Sequence, residues 1–350
     1  MINLSGTVSK GWLAKTLGVK FDREYYFSPN KRYEIDCQCN EYILRQFPDM
    51  QLFYSESNLG RLNYYSKDQV LIGGIQPNMI LGMLLGAEFI PNDDKDADIS
   101  SECLAGKNIS NLPSPEKLLN HKLIHIFDEQ IENVKSNENS RLCPIPPFFW
   151  DISGQAAIHG VLTSAQKFIG ESIFIYMMTH PQQCEELTSW IADAYIILCK
   201  HFSKWVGGIN SVHVGECSSC MISPELFERF VVPATSRIAQ ALGPIKLHSC
   251  GQSTHILRAC SNITNLCSLD IGGETSIAKI REIFGSKFHV SIAPIVRDFS
   301  SDTPLAILAW AKKVIKENDN GELTIVYHLE PDYNIDNVYA LYEFVGKYYA

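Results

Sequence analysis

Pro244-Ile245-Lys246-Leu247-His248-Ser249-Cys250-Gly251 is a short apolar run that ends on a histidine and a cysteine. It reads as a β-strand stopping at His248, with helical sequence to follow. The same grammar repeats on both sides. Ile209–Val214 is a strand candidate, and Ser223 (N-cap) and Pro224 (first helical position) open a helix expected over Pro224–Leu242. After the strand Ile245–His248 come a helix over Thr254–Cys260, a strand over Asn265–Leu269, a helix over Ser276–Phe284 and a strand over Phe288–Ile292. Leu305–Glu317 is helical, Leu323–His328 is a β-branched strand, and Asn337–Tyr349 closes the chain as a helix. Strands separated by helices, with no hairpin signals, imply parallel βα units. In 350 residues the natural closure is a single (β/α)8 barrel of the triosephosphate isomerase type. A doubly wound open sheet is the alternative, but no Gly-x-Gly-x-x-Gly follows an early strand.

The first half is less regular. Residues 1–60 mix aromatic and charged side chains (Phe21, Tyr25, Tyr26, Phe27, Tyr33) and read as an N-terminal extension or cap, with the barrel over 61–350. Asn92–Pro113 is a polar excursion, and the rigid run Pro144–Asp151 is expected as an aromatic loop at the mouth of a strand.

Composition excludes several classes. The net charge of -9, with no segment that concentrates Lys and Arg, lacks the electrostatic footprint of a nucleic-acid binder. Gly82, Gly86 and Glu88 interrupt the longest apolar stretch, Met79 to Ile90, which is too short to span a bilayer. The N-terminus has no basic start followed by a long apolar run, so the expected location is the cytoplasm. Eleven scattered cysteines do not form a disulfide scaffold and read as free thiols in a reducing compartment.

In a parallel barrel, chemistry collects where strands end. The candidate ends carry Glu216-Cys217-Ser218-Ser219-Cys220, His248-Ser249-Cys250, Asp270 and His328-Leu329-Glu330. Residues i and i+2 of a strand share a face, so His248 and Cys250 can close on one ion, and imidazole with thiolate selects zinc. Zinc needs three or four ligands. Glu216 is the expected oxygen donor, and His328 or Glu330 completes the set; spacing does not decide between those two. A competing set joins Cys217 and Cys220 to His248 and Cys250 in a closed, structural site. His121, His125, His159, His201 and His255 show no ligand partner by spacing.

These residues resemble the uroporphyrinogen decarboxylase-like superfamily, and within it the zinc-dependent corrinoid methyltransferases. The resemblance rests on Ser223-Pro224-Glu225-Leu226-Phe227-Glu228-Arg229-Phe230 leading to Pro233, on Leu247–Gly251, on Ile292-Ala293-Pro294 and on Asn337–Leu341. It covers the last 200 residues or so well and the first 150 loosely. The decarboxylases of this superfamily carry an arginine-rich motif near the N-terminus, absent from Asn30–Asp36; the methyltransferases add a cysteine at the last strand, where this chain has His328-Leu329-Glu330-Pro331. The resemblance implies zinc, a corrinoid (cobalamin) carried by a partner protein, and transfer of a methyl group between a small methoxy or N-methyl compound and cobalt. Methyl transfer from methylcobalamin to a thiol of the coenzyme M kind and a metal-independent decarboxylation are the alternatives. Metal ligands are then Glu216, His248, Cys250 and His328. Asp270 and Glu330 are the catalytic candidates, Asp270 orienting substrate or a ligand histidine, and Phe148-Phe149-Trp150 would flank the methyl donor. A homodimer is compatible with this reading.

Overall fold

The computed structural model describes residues 2–48, 52–54, 69–137 and 142–347. Ten of its strands form parallel pairs: β1 (Ile2–Val8), β2 (Leu52–Tyr54), β3 (Gln69–Leu71), β4 (Cys143–Ile145), β5 (Gln155–His159), β6 (Ser211–Gly215), β7 (Ile245–Ser249), β8 (Leu266–Gly272), β9 (His289–Ala293) and β10 (Leu323–Leu329). Eight of them make one sheet in the order β2-β1-β10-β9-β8-β7-β6-β5, while β3 and β4 pair apart from it. The expected (β/α)8 barrel is therefore met in part. The fold is α/β with a curled, wholly parallel sheet, but among the described residues backbone hydrogen bonds do not close it between β2 and β5.

The N-terminal segment departs from its expected place as a cap. β1 runs in register with β10 along its whole length, from Ile2 beside Leu323 to Val8 beside Leu329, so the start of the chain supplies a strand of the sheet itself. The expected boundary at residue 60 lies outside the described residues. Within the segment, Arg32 and Asp36 form a fully buried ion pair of 3.1 Å, and Tyr25 Oη donates to Asp36 at 2.9 Å.

Strand composition explains which face goes where. Val212 and Val214, Ile245 and Leu247, Leu269 and Ile271, Val290 and Ile292, and Ile325 and Leu329 are all at most 3% exposed and pack under the surrounding helices. Each such side chain contributes about 1.5–3 kcal/mol by leaving water. The alternate positions are polar: His213, Lys246, His248, Asp270, Ser291, Thr324 and His328. Cross-strand register puts His213 beside Lys246, His248 beside Asp270, Asp270 beside Ser291, and Thr7 beside His328. Parallel strands buried on both faces read as continuous apolar runs; here the alternation survives because one face lines a polar lumen.

Two local differences from the sequence expectations have plain causes. The helix expected over Pro224–Leu242 is two helices, Pro224–Phe230 and Val232–Leu242, with Pro233 in the first turn of the second. Proline has no N–H to give to the carbonyl four residues back, so the first helix cannot run through it. The rigid run Pro144–Asp151 begins inside β4, and its aromatic part leads from the end of β4 to the start of β5. Trp150 N donates to Gln155 O and Asn210 N donates to Gly154 O, which fastens the loop beneath β5 and β6, with Phe148 and Phe149 buried in the core.

Candidate metal centre

Past Gly215 the chain turns into a short 3-10 helix, Cys217–Met221, which leads the Cys217 side chain to the end of β7. Cys217 Sγ lies 3.0 Å from Cys250 Sγ, and Cys250 Sγ lies 3.0 Å from His248 Nε2. One ligand atom from each of Cys217, His248 and Cys250 falls within 4.8 Å of the others. On the far side of its ring, His248 Nδ1 is 2.8 Å from Asp270 Oδ2. A second cluster, His213, His248 and Asp270, meets the same distance criterion. Because His248 Nδ1 is already hydrogen-bonded to Asp270, we read that cluster as support for the first, in the way a carboxylate orients a metal-binding histidine.

Electrostatics fit a site that collects positive charge. Burial opposes a proton on His248, but the Asp270 carboxylate and the Cys217 thiol override it and hold its pKa well above the ordinary value. Burial likewise disfavours charge on Asp270, and His248 pulls its pKa down regardless. The two thiols divide: the hydrogen bond with Cys250, then burial, pushes Cys217 up, while the bond from Cys217 lowers Cys250. Of the two thiols Cys250 is thus the more acidic, beside a Cys217 that holds its proton and a His248 that favours protonation. This donor set of two sulfurs and one imidazole suits zinc.

Residues 161–291 match the uroporphyrinogen decarboxylase (URO-D) family model. Among solved structures, a methyltransferase from Methanosarcina mazei superposes with a TM-score of 0.65 at 16% identity, over 99% of this chain and 94% of that one. A B12-independent methionine synthase from Shewanella sp. W3-18-1, in complex with selenomethionine, aligns with a TM-score of 0.45 at 11% identity, over 99% of this chain and 98% of that one. No curated protein matches the sequence.

The expected site residues part company. His248, Cys250 and Asp270 come together. Glu216 does not join them, although it is wholly buried. Its Oε1 accepts from Thr163 N at 2.8 Å and Thr163 Oγ1 at 3.0 Å, and its Oε2 accepts from Leu162 N at 3.3 Å, so it caps the N-terminus of helix Val161–Ile169. A Cβ on Gly160 would collide with that carboxylate, so glycine there is what admits it. Burial raises the Glu216 pKa to about 7 against the pull of those donors. Its role is to anchor the turn that carries Cys217, aided by Ser218 N donating to Thr163 Oγ1 at 3.1 Å.

His328 and Glu330 lie outside the three-residue group. His328 Nδ1 shares a short hydrogen bond with Thr7 Oγ1 on β1. Glu330, partly buried beyond β10, has its pKa raised by burial, and its polar neighbours are Ser9, Asp96 and Asp332. The closed four-ligand alternative also loses a member. Cys220 packs against Gly251, where a Cβ would come within 2.5 Å of its Sγ, and it is not part of the cluster.

His213 is the residue the spacing argument passed over. Its ring stacks on His248 at 5.7 Å between centroids and touches Trp150 at 4.4 Å. Burial, together with the charge on His248, lowers its pKa to about 3, so it is neutral. Period-2 counting from His248 to its register partners would have found it.

Proposed function

We propose that this chain is a zinc-dependent methyltransferase that moves a methyl group between a small methylated compound and the cobalt of a corrinoid carried by a partner protein. The carrying observation is the convergence of Cys217, His248 and Cys250 at the strand ends, with Asp270 on the outer nitrogen of His248. Three protein ligands, and not four, leave a position for substrate, which distinguishes a catalytic zinc site from a structural one. The fold shared with a Methanosarcina mazei methyltransferase supports the reading.

Zinc held there would supply Lewis acidity to the heteroatom that carries the methyl group, or would hold a thiol as thiolate. The chain's own residues do the rest. Asp270 fixes the His248 tautomer so that Nε2 faces the ligand group. Glu216 and Thr163 hold the Cys217 turn. Cys250 is exposed at the strand ends, and the partner has to approach that face, because the two reacting centres must meet in line at near-contact distance.

A second reading, methyl transfer from methylcobalamin to a thiol, gains from one specific observation. Cys217 restores a second thiolate that the last strand does not provide, and thiolate-rich zinc is the better holder of a thiolate nucleophile. The test is direct. Protein loaded with zinc is offered methoxyaromatics and methylamines with cob(I)alamin, and thiols with methylcobalamin, while the cobalt spectrum is followed. Demethylation of a methylated compound supports the first reading, thiol methylation the second, and a silent cobalt spectrum with all three classes refutes both.

A further inference from the structure

The lumen below the metal ligands carries a second group that this transfer reading does not use. His213 sits on β6 between Trp150, which comes from the loop under β5, and His248 on β7. Ring contacts occupy its flanks, and among the described residues no hydrogen bond engages its nitrogens. Two further polar atoms nearby, Trp150 Nε1 and His159 Nδ1, are buried with no partner. A ring nitrogen of His213 lies within 4.8 Å of ligand atoms of His248 and Asp270, so a small molecule touching the metal group comes within reach of its imidazole. Charge on this wall is unfavourable to a cation. The carboxylate of Asp270 is engaged by His248, and Lys246, in register with His213 and on the same face, forms no ion pair among the described residues.

The geometry points to His213 as the positioning residue for the body of the methyl donor, through a hydrogen bond to its imidazole edge, and to an uncharged donor in preference to a methylated ammonium. This deepens the transfer reading and rests on it for the word donor, but the binding subsite can be tested apart from turnover.

The experiment uses full-length, zinc-loaded protein and two probes, 3-methoxyphenol as the uncharged one and tetramethylammonium as the cation, with binding read by saturation-transfer NMR. Wild type binds 3-methoxyphenol and leaves tetramethylammonium without transfer. His213→Phe, which keeps a ring between Trp150 and His248, weakens 3-methoxyphenol about ten-fold, the worth of one neutral hydrogen bond; His213→Asn, which keeps a donor and an acceptor, stays within about three-fold of wild type. Equal binding by wild type and His213→Phe overturns the inference, as does binding by neither probe or tighter binding of tetramethylammonium. Zinc content measured on the same samples separates the two claims: a protein that takes up no zinc yet binds 3-methoxyphenol through His213 sinks the transfer reading and leaves the subsite standing.

Discussion

Glu216 gives the sharpest quantitative prediction, because its environment is fully specified. Its carboxylate is wholly buried against the N-terminus of helix Val161–Ile169, and burial raises its pKa to about 7 from an ordinary 4.5. A raised carboxyl pKa means that the folded state binds this proton more tightly than the unfolded chain does. The resulting stability is fully present below pH 4.5 and is lost as pH rises through about 7. Between pH 5 and 8 the loss attributable to this one group is about 2–3 kcal/mol. Glu216→Gln removes the titration while keeping the shape. It also replaces one accepting oxygen with a donor, which leaves Leu162 N–H or the Thr163 donors unpaired at a pH-independent cost of about 1–3 kcal/mol. Urea unfolding of metal-free, reduced wild type and Glu216→Gln at pH 5 and pH 8 isolates the linkage, since other titrations cancel in the difference. The wild-type advantage should shrink by about 2–3 kcal/mol from the lower to the higher pH. A difference constant to within about 0.5 kcal/mol refutes the reasoning, and would mean that the helix terminus compensates the buried charge in full.

Other perturbations separate the roles of neighbouring residues. Asp270→Asn should lower zinc affinity by about 10–100-fold, measured by competition with a chromogenic chelator, because it loosens the His248 ring without removing a ligand. Cys217→Ser should lower zinc affinity more than His328→Ala or Glu330→Gln, and equal losses in the three would return the last strand to the ligand set. Phe149→Ala, in the loop under β5, should cost about 3–5 kcal/mol in chemical denaturation as a core cavity while leaving zinc content unchanged in the folded protein.

Much of this was legible in the strand ends. His248, Cys250 and Asp270 could be placed because the apolar alternation of their strands fixes which positions turn inward. The same parity, carried one step further, distinguishes Cys217 from Glu216. His213, Gly215 and Cys217 follow one another at intervals of two, and Glu216 falls between them and turns toward the helix. A strand-end carboxylate looks like a ligand in sequence; only the approach of helix Val161–Ile169, made possible by Gly160, shows that its oxygens are taken. The N-terminal strand was hidden for a different reason. Ile2–Val8 does alternate, but its partner β10 lies more than 300 residues away, and nothing local in a seven-residue run announces so distant a pairing. The missing last-strand cysteine was also visible, and the competing set already joined Cys217 to His248 and Cys250; what spacing did not show is that Cys220, one 3-10 turn further on, stays out of the group.

A zinc ion held by Cys217, His248 and Cys250 is read out by zinc K-edge X-ray absorption on protein purified without added metal. The spectrum should show about one zinc per chain with two sulfurs at roughly 2.3 Å, one imidazole nitrogen at roughly 2.0 Å and a light-atom fourth neighbour, with one sulfur fewer in Cys217→Ser. No bound zinc, or a shell of one sulfur with added carboxylate oxygens that Cys217→Ser does not change, would contradict it.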